Sequence, residues 1–238
     1  MKTDNKLILP LTALFFLIVG ILAFGVYFDN ESIILPARIA GVSLIFLIYF
    51  FSSFRKNKLY LSSLLFSLLS ILFLFIKSDS GVISATLFFL IFIVLTTRIV
   101  IKNSKKVSFI PVALGFLPFL STLFYLIFLT YSSLGINYVP SILNALIISF
   151  LGGLAVSNFI LEEDNMKNIW LLISSLLFTF LIFVFMIERY YLSVQVFKPI
   201  RTICFFGGHY LFMRYLLLSE HQTIIDLPCE MTEESVSK

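Results

Sequence analysis

No aspartate or glutamate falls inside any long apolar run of this chain. All 13 carboxylates sit in short polar links, at the ends of apolar segments, or in the terminal stretches, five of them beyond Leu218. Hydrolysis by a pair of intramembrane carboxylates, one acting as acid and one as base, therefore has no candidates here. Histidine is nearly absent as well. His209 and His221 are the only two, and no Cys/His spacing suits a metal, so neither a metal nor a cofactor is expected. Cys204 lies in an apolar segment and Cys229 in a polar one, which argues against a disulfide between them. Charge of either sign is scarce, at 13% of residues against about 25% in soluble domains.

What fills the chain instead is apolar. Hydrophobic residues make up 60% of it, with 29 Phe and a single Trp, and the mean hydropathy is +1.05. A 27.2 kDa core cannot hide that much apolar surface from water, so the solvent has to be lipid. The net charge of +4 then records orientation in a bilayer rather than affinity for nucleic acid. A span needs about 20 apolar residues. Eight segments qualify or nearly so: 7–28, 33–54, 59–76, 82–101, 108–130, 138–161, 169–187 and 199–218. The first exceeds the usual apolar stretch of a signal peptide and reads as a span rather than a cleaved leader.

The expected fold class is all-α, a polytopic integral membrane protein of about eight transmembrane helices. The links, such as RKNK and KSDSG, are too short to hold a soluble domain. Residues 1–219 form one membrane domain and 220–238 a short, polar, flexible tail in this reading. With the N-terminus inside, 12 of the 17 Lys and Arg fall on one side; Arg38, Lys77, Arg189, Lys198 and Arg201 fall on the other. Both termini are therefore expected in the cytoplasm.

SSLLFSLLSILFLFI at 62–76 is echoed by SSLLFTFLIFVFMI at 174–187, 112 residues later and four spans on. Two parallel four-helix halves would explain the echo, as would mere recurrence in a chain so rich in Ser, Leu and Phe. Polar residues inside spans are costly and mark functional sites by default. Arg38, Arg98 and Arg214 lie near span ends, where a guanidinium can grip a phospholipid head group or simply snorkel to the interface. His209, in FFGGHYLFMRY, is a proton carrier, a head-group ligand or a packing histidine. Gly152–Gly153 suits close helix approach, and the Ser and Thr of the spans suit interhelical hydrogen bonds. Glu188 and Arg189 are expected to pair at the interface.

The stretch ILPARIAGVSLIFLIYFFSSFRKNKLYLSSLLFSLLSILFLF resembles the second and third spans of the YhhN-like lysoplasmalogenase family. NYVPSILNALIISFLGGLAVSN is similar to that family's sixth span, and SSLLFTFLIFVFMIERYY with HYLFMRYLLL to its last two. The resemblance implies eight spans and hydrolysis of the vinyl-ether bond of lysoplasmalogens. It also implies an aspartate in each of the third and seventh spans. Here Ser70–Ile71 and Leu181–Ile182 stand at those places. The family's Lys–Pro in the second span corresponds to Ala37–Arg38, its fourth-span His has no counterpart, and its eighth-span Gln corresponds to Arg214.

Exchanging a mid-span Asp for Ile favours insertion by about 3 kcal/mol, so a scaffold freed of catalysis gains by shedding its acids. The function expected is that of a family member without catalytic residues, a pseudoenzyme that binds or senses a lysophospholipid in a bacterial cytoplasmic membrane. The alternatives are a vinyl-ether hydrolase that uses other residues, such as His209 with a serine, and a small membrane transporter.

Overall fold

In lipid the backbone must satisfy its own hydrogen bonds, and a run of apolar residues does so only as a helix or a closed barrel. The computed structural model describes residues 5–76, 78–104, 107–162 and 166–233, with side chains from 7 to 222 within those limits. Throughout these residues the chain is helical and forms no strand. The helices are α1 (Asn5–Tyr27), α2 (Glu31–Ser52), α3 (Lys58–Phe75), α4 (Asp79–Asn103), α5 (Phe109–Leu129), the single turn α6 (Tyr131–Leu134), α7 (Tyr138–Leu161), α8 (Met166–Tyr190) and α9 (Phe197–Glu233). A 3₁₀ turn at Gly135–Asn137 leads into α7. Polar side chains punctuate the links. The Asn57 side chain accepts from the Leu59 amide to cap α3, and Ser78 accepts from Gly81 to cap α4.

Seven helical segments are long and apolar enough to cross a membrane, the sixth combining α6, the 3₁₀ turn and α7. The eighth expected segment lies within α9, which is not among them. Lys198, Arg201, His209 and Arg214 dilute its apolar run. α9 also runs on through Glu220, where the flexible tail was expected to start. Residues 234–238 and the side chains from 223 onward lie outside the described residues, as do the side chains of Lys2, Lys6, Lys77, Lys105 and Lys106 used in the orientation count.

Neighbouring helices in sequence pack as antiparallel pairs: α1 with α2, α3 with α4, α5 with α7 and α8 with α9. Further contacts join α4 to α7, α7 to α8, α1 to α9, and α2 to both α3 and α9. The outside is greasy. Phe109 is 84% exposed, Phe128 77% and Leu9 76%, a surface suited to acyl chains and not to water. The inside is comparatively polar, holding Ser63, Ser67, Ser174, His209 and Asn144, as expected where helix association depends on close packing and hydrogen bonds. α5 and α7 approach through glycine. A Cβ on Gly153 would lie 2.6 Å from the Val112 carbonyl oxygen, and one on Gly115 would lie 3.0 Å from the Gly153 Cα.

Candidate functional site: a cavity at one end of the bundle

α2, α4, α7 and α9 begin, and α3 and α8 end, at the same end of the bundle, and there they enclose a cavity of about 120 Å³. Its walls bring together residues far apart in sequence: Arg38 from α2, Ser70 and Ile71 from α3, Thr86 from α4, Asn144 from α7, Leu181 and Ile182 from α8, and Arg201 and Phe205 from α9. The four residues that stand where the family resemblance places its two aspartate motifs thus face one space, with Arg38 beside them. Ile71, Leu181 and Ile182 make their part of it apolar.

The charges at this end follow a simple pattern. Lys198 Nζ lies 2.6 Å from Asp29 Oδ1, and Arg201 Nη1 lies 3.0 Å from Glu188 Oε2. Arg189 reaches to 3.9 Å from Asp79, a looser and exposed contact. The expected pairing of Glu188 with Arg189 does not form. Consecutive residues on a helix point in divergent directions, and Arg201 arrives from the next helix to take Glu188. Arg201 also lies over the Phe185 ring, 5.6 Å from its centre. Arg38 is half-buried and has no carboxylate within ion-pair distance among the described residues. It interacts electrostatically with both Arg201 and Glu188. Two guanidinium groups line the cavity and share one carboxylate, so one positive charge is left without a local counterion.

The remaining candidates lie elsewhere. Arg98 and Arg214 are exposed and do not line the cavity. Arg98 comes near the end of α4 and Arg214 well along α9, so neither shares the end occupied by Arg38. His209 is 1% exposed. Its Nε2 lies 2.8 Å from Ser67 Oγ, and the rings of Phe92, Phe178 and Phe205 pack around it with centroids 4.6, 5.3 and 4.4 Å away. Its Nδ1 has no hydrogen-bond partner among the described residues. Phe205 separates this pair from the cavity by lining the cavity and packing on the imidazole.

The span hydroxyls divide into two groups. Ser67, Ser70 and Ser174 bond between helices, to His209, the Ala85 carbonyl and the Gly208 carbonyl. Ser63, Ser175 and Thr179 donate back to carbonyls in their own helices, the local alternative always open to a helical hydroxyl.

Sequence reasoning missed Arg201, Glu188 and Asn144 as parts of the site, and Glu220 as a structural residue. Arg201 lies two residues into the eighth expected segment and entered only the orientation count. Asn144 carries no charge to mark it. Glu220 is 8% exposed. It accepts from Tyr49 Oη at 2.6 Å and from Ser53 Oγ at 2.7 Å, which ties α9 to the end of α2, away from the cavity. Only its polar neighbours in sequence disguised it.

Comparison with protein-family models, curated proteins and solved structures finds no match. The geometry alone carries the functional reading.

Proposed function

We propose that this chain is a membrane protein of YhhN-like lysoplasmalogenase descent that binds a lysophospholipid without hydrolysing it. The observation that carries the reading is Arg38, a guanidinium in the wall of a largely apolar cavity with no carboxylate of its own. A guanidinium is suited to bidentate grip on a phosphate, and an apolar lining suits the root of an acyl chain. Ile71 and Ile182 stand where hydrolysis would need acids, so the site keeps a head-group cation and lacks an acid–base pair. α9 serves as the eighth span in this reading. It packs on α8 and turns His209 inward, and the Ser174 hydroxyl of α8 donates to the Gly208 carbonyl. The neighbour pattern fits two related halves, because α1–α2 and α3–α4 in the first correspond to α5–α7 and α8–α9 in the second. The cavity opens on the outer side of a bacterial cytoplasmic membrane and both termini lie inside.

The test uses purified protein in detergent micelles. Binding of an anionic lysophospholipid should weaken about tenfold or more in Arg38→Gln, the scale of one charge-assisted contact. Lysoplasmalogen should release no aldehyde with the native chain. Turnover by the native chain would sink the non-catalytic reading, and an Ile71→Asp/Ile182→Asp variant that gained turnover would strengthen it.

A hydrolase reading has one observation in its favour, the 2.8 Å contact between Ser67 and His209. A serine nucleophile beside an imidazole base is a recurrent arrangement. Here both side chains are buried, and no carboxylate orients the imidazole from Nδ1. If this pair did chemistry, His209→Ala would abolish aldehyde release.

A further inference from the structure

Two sets of polar groups in the cavity wall differ in hydrogen-bonding type. On the α2 and α9 side, Arg38 and Arg201 are guanidinium groups, which donate and never accept. On the α3, α4 and α7 side Ser141 also lines the cavity, and the donors of the other three polar residues are already committed. Ser70 Oγ donates to the Ala85 carbonyl at 2.8 Å, and Thr86 Oγ1 donates to the Val82 carbonyl at 2.8 Å. Asn144 Nδ2 lies 3.2 Å from the Thr86 carbonyl oxygen and 3.1 Å from that of Pro140. Those two acceptors fix which end of the amide is nitrogen. They leave Asn144 Oδ1 in the wall, buried and without a partner among the described residues. Ser70, Thr86 and Asn144 therefore have only lone pairs to offer, and an unmet buried acceptor is costly.

We propose that the wall formed by Ser70, Thr86 and Asn144 recognises a hydroxyl on the bound amphiphile, a few ångströms from its anionic group, with Asn144 as the specificity-determining residue. This deepens the lysophospholipid reading and rests on it. A lysophospholipid keeps a free hydroxyl on the glycerol carbon next to the one bearing phosphate, so it carries an anion and a donor on neighbouring carbons. A diacyl lipid has lost that hydroxyl. A simple alkyl phosphate never had one. A site that bonds a ligand hydroxyl rejects the analogue lacking it, because the protein's own buried acceptor is then left unpaired. An ammonium in the head group is the other donor that could meet Asn144, and the experiment separates the two.

Four probes are titrated against the full chain in micelles: oleoyl lysophosphatidate, its O-methylated analogue, hexadecyl phosphate and hexadecyl phosphoethanolamine. The hydroxyl-bearing probe should bind about tenfold tighter than the other three. Asn144→Leu should erase that preference. Equal binding of lysophosphatidate and its O-methylated analogue to the native chain, both weakened by Arg38→Gln, would overturn the hydroxyl assignment and leave the anion site standing. Phosphoethanolamine matching lysophosphatidate would assign the donor to the ammonium and overturn it too. Failure of all four probes to bind would remove the underlying reading as well. The comparison among probes needs only the native chain, so it holds even if Asn144→Leu does not fold.

Discussion

Ile71 and Ile45 are both buried isoleucines, 7% and 0% exposed, and only Ile71 faces the cavity. An aspartate in the middle of a span costs about 3 kcal/mol on insertion scales. At Ile71 the new carboxylate shares a cavity with the unpaired Arg38, and the opposite charge offsets part of that cost. Ile71→Asp should therefore lower the thermal midpoint in detergent less than Ile45→Asp does. Equal losses would mean that Arg38 is too far away or too well hydrated to respond. Glu220 makes the complementary case. Glu220→Ala strands the Tyr49 hydroxyl and should cost about 1–3 kcal/mol, whereas Glu220→Gln keeps an acceptor for Tyr49 and should cost less. Thermal denaturation of the two variants side by side decides it. None of this was visible residue by residue in the sequence. Glu220 read as tail, and Arg38 differed from Arg98 only in the space it turned out to face.

At the scale of the helices, most of the fold was legible. Each apolar run became a helix with ends close to those expected, because lipid leaves the backbone no other economical state. Gly152–Gly153 correctly marked a close approach, here of α7 to α5. Gly153→Val should push the helices apart and cost about 1–3 kcal/mol as overpacking. Gly20→Val meets open space within 4 Å and should change the thermal midpoint little. A Gly20 variant as damaging as the Gly153 one would remove the packing argument. The helix that departed from expectation was α9, which is longer, more charged and better anchored than its apolar core of 199–218 suggested. Arg201, His209 and Glu220 meet partners on other helices. The sequence of α9 alone does not contain those partners.

For the whole molecule, orientation is the property with the most direct test. Ser80 is exposed at the cavity end and Lys102 at the far end of α4. With Cys204 and Cys229 replaced by serine, Ser80→Cys should react with a membrane-impermeant maleimide in intact cells. Lys102→Cys should react only after permeabilisation. The reverse pattern would place the cavity mouth in the cytoplasm. Two of the basic residues on the minority side are paired with acids where they stand. Lys198 pairs with Asp29 and Arg201 with Glu188.

By itself the sequence determined that the chain is an all-helical membrane protein, because apolar runs of span length can meet their backbone hydrogen bonds in lipid only one way. It also determined that no aspartate or glutamate lies inside the apolar runs, since composition needs no folding to be read. Only the tertiary structure decided which polar residues meet. Arg38 and Arg201 share Glu188, Asn144 is left with an unmatched acceptor, and His209 is sealed behind Phe205. Each of these depends on which helix faces lie against each other, and in lipid those faces are chosen by packing and hydrogen bonding. Hydropathy, the strongest signal in the sequence, does not distinguish them.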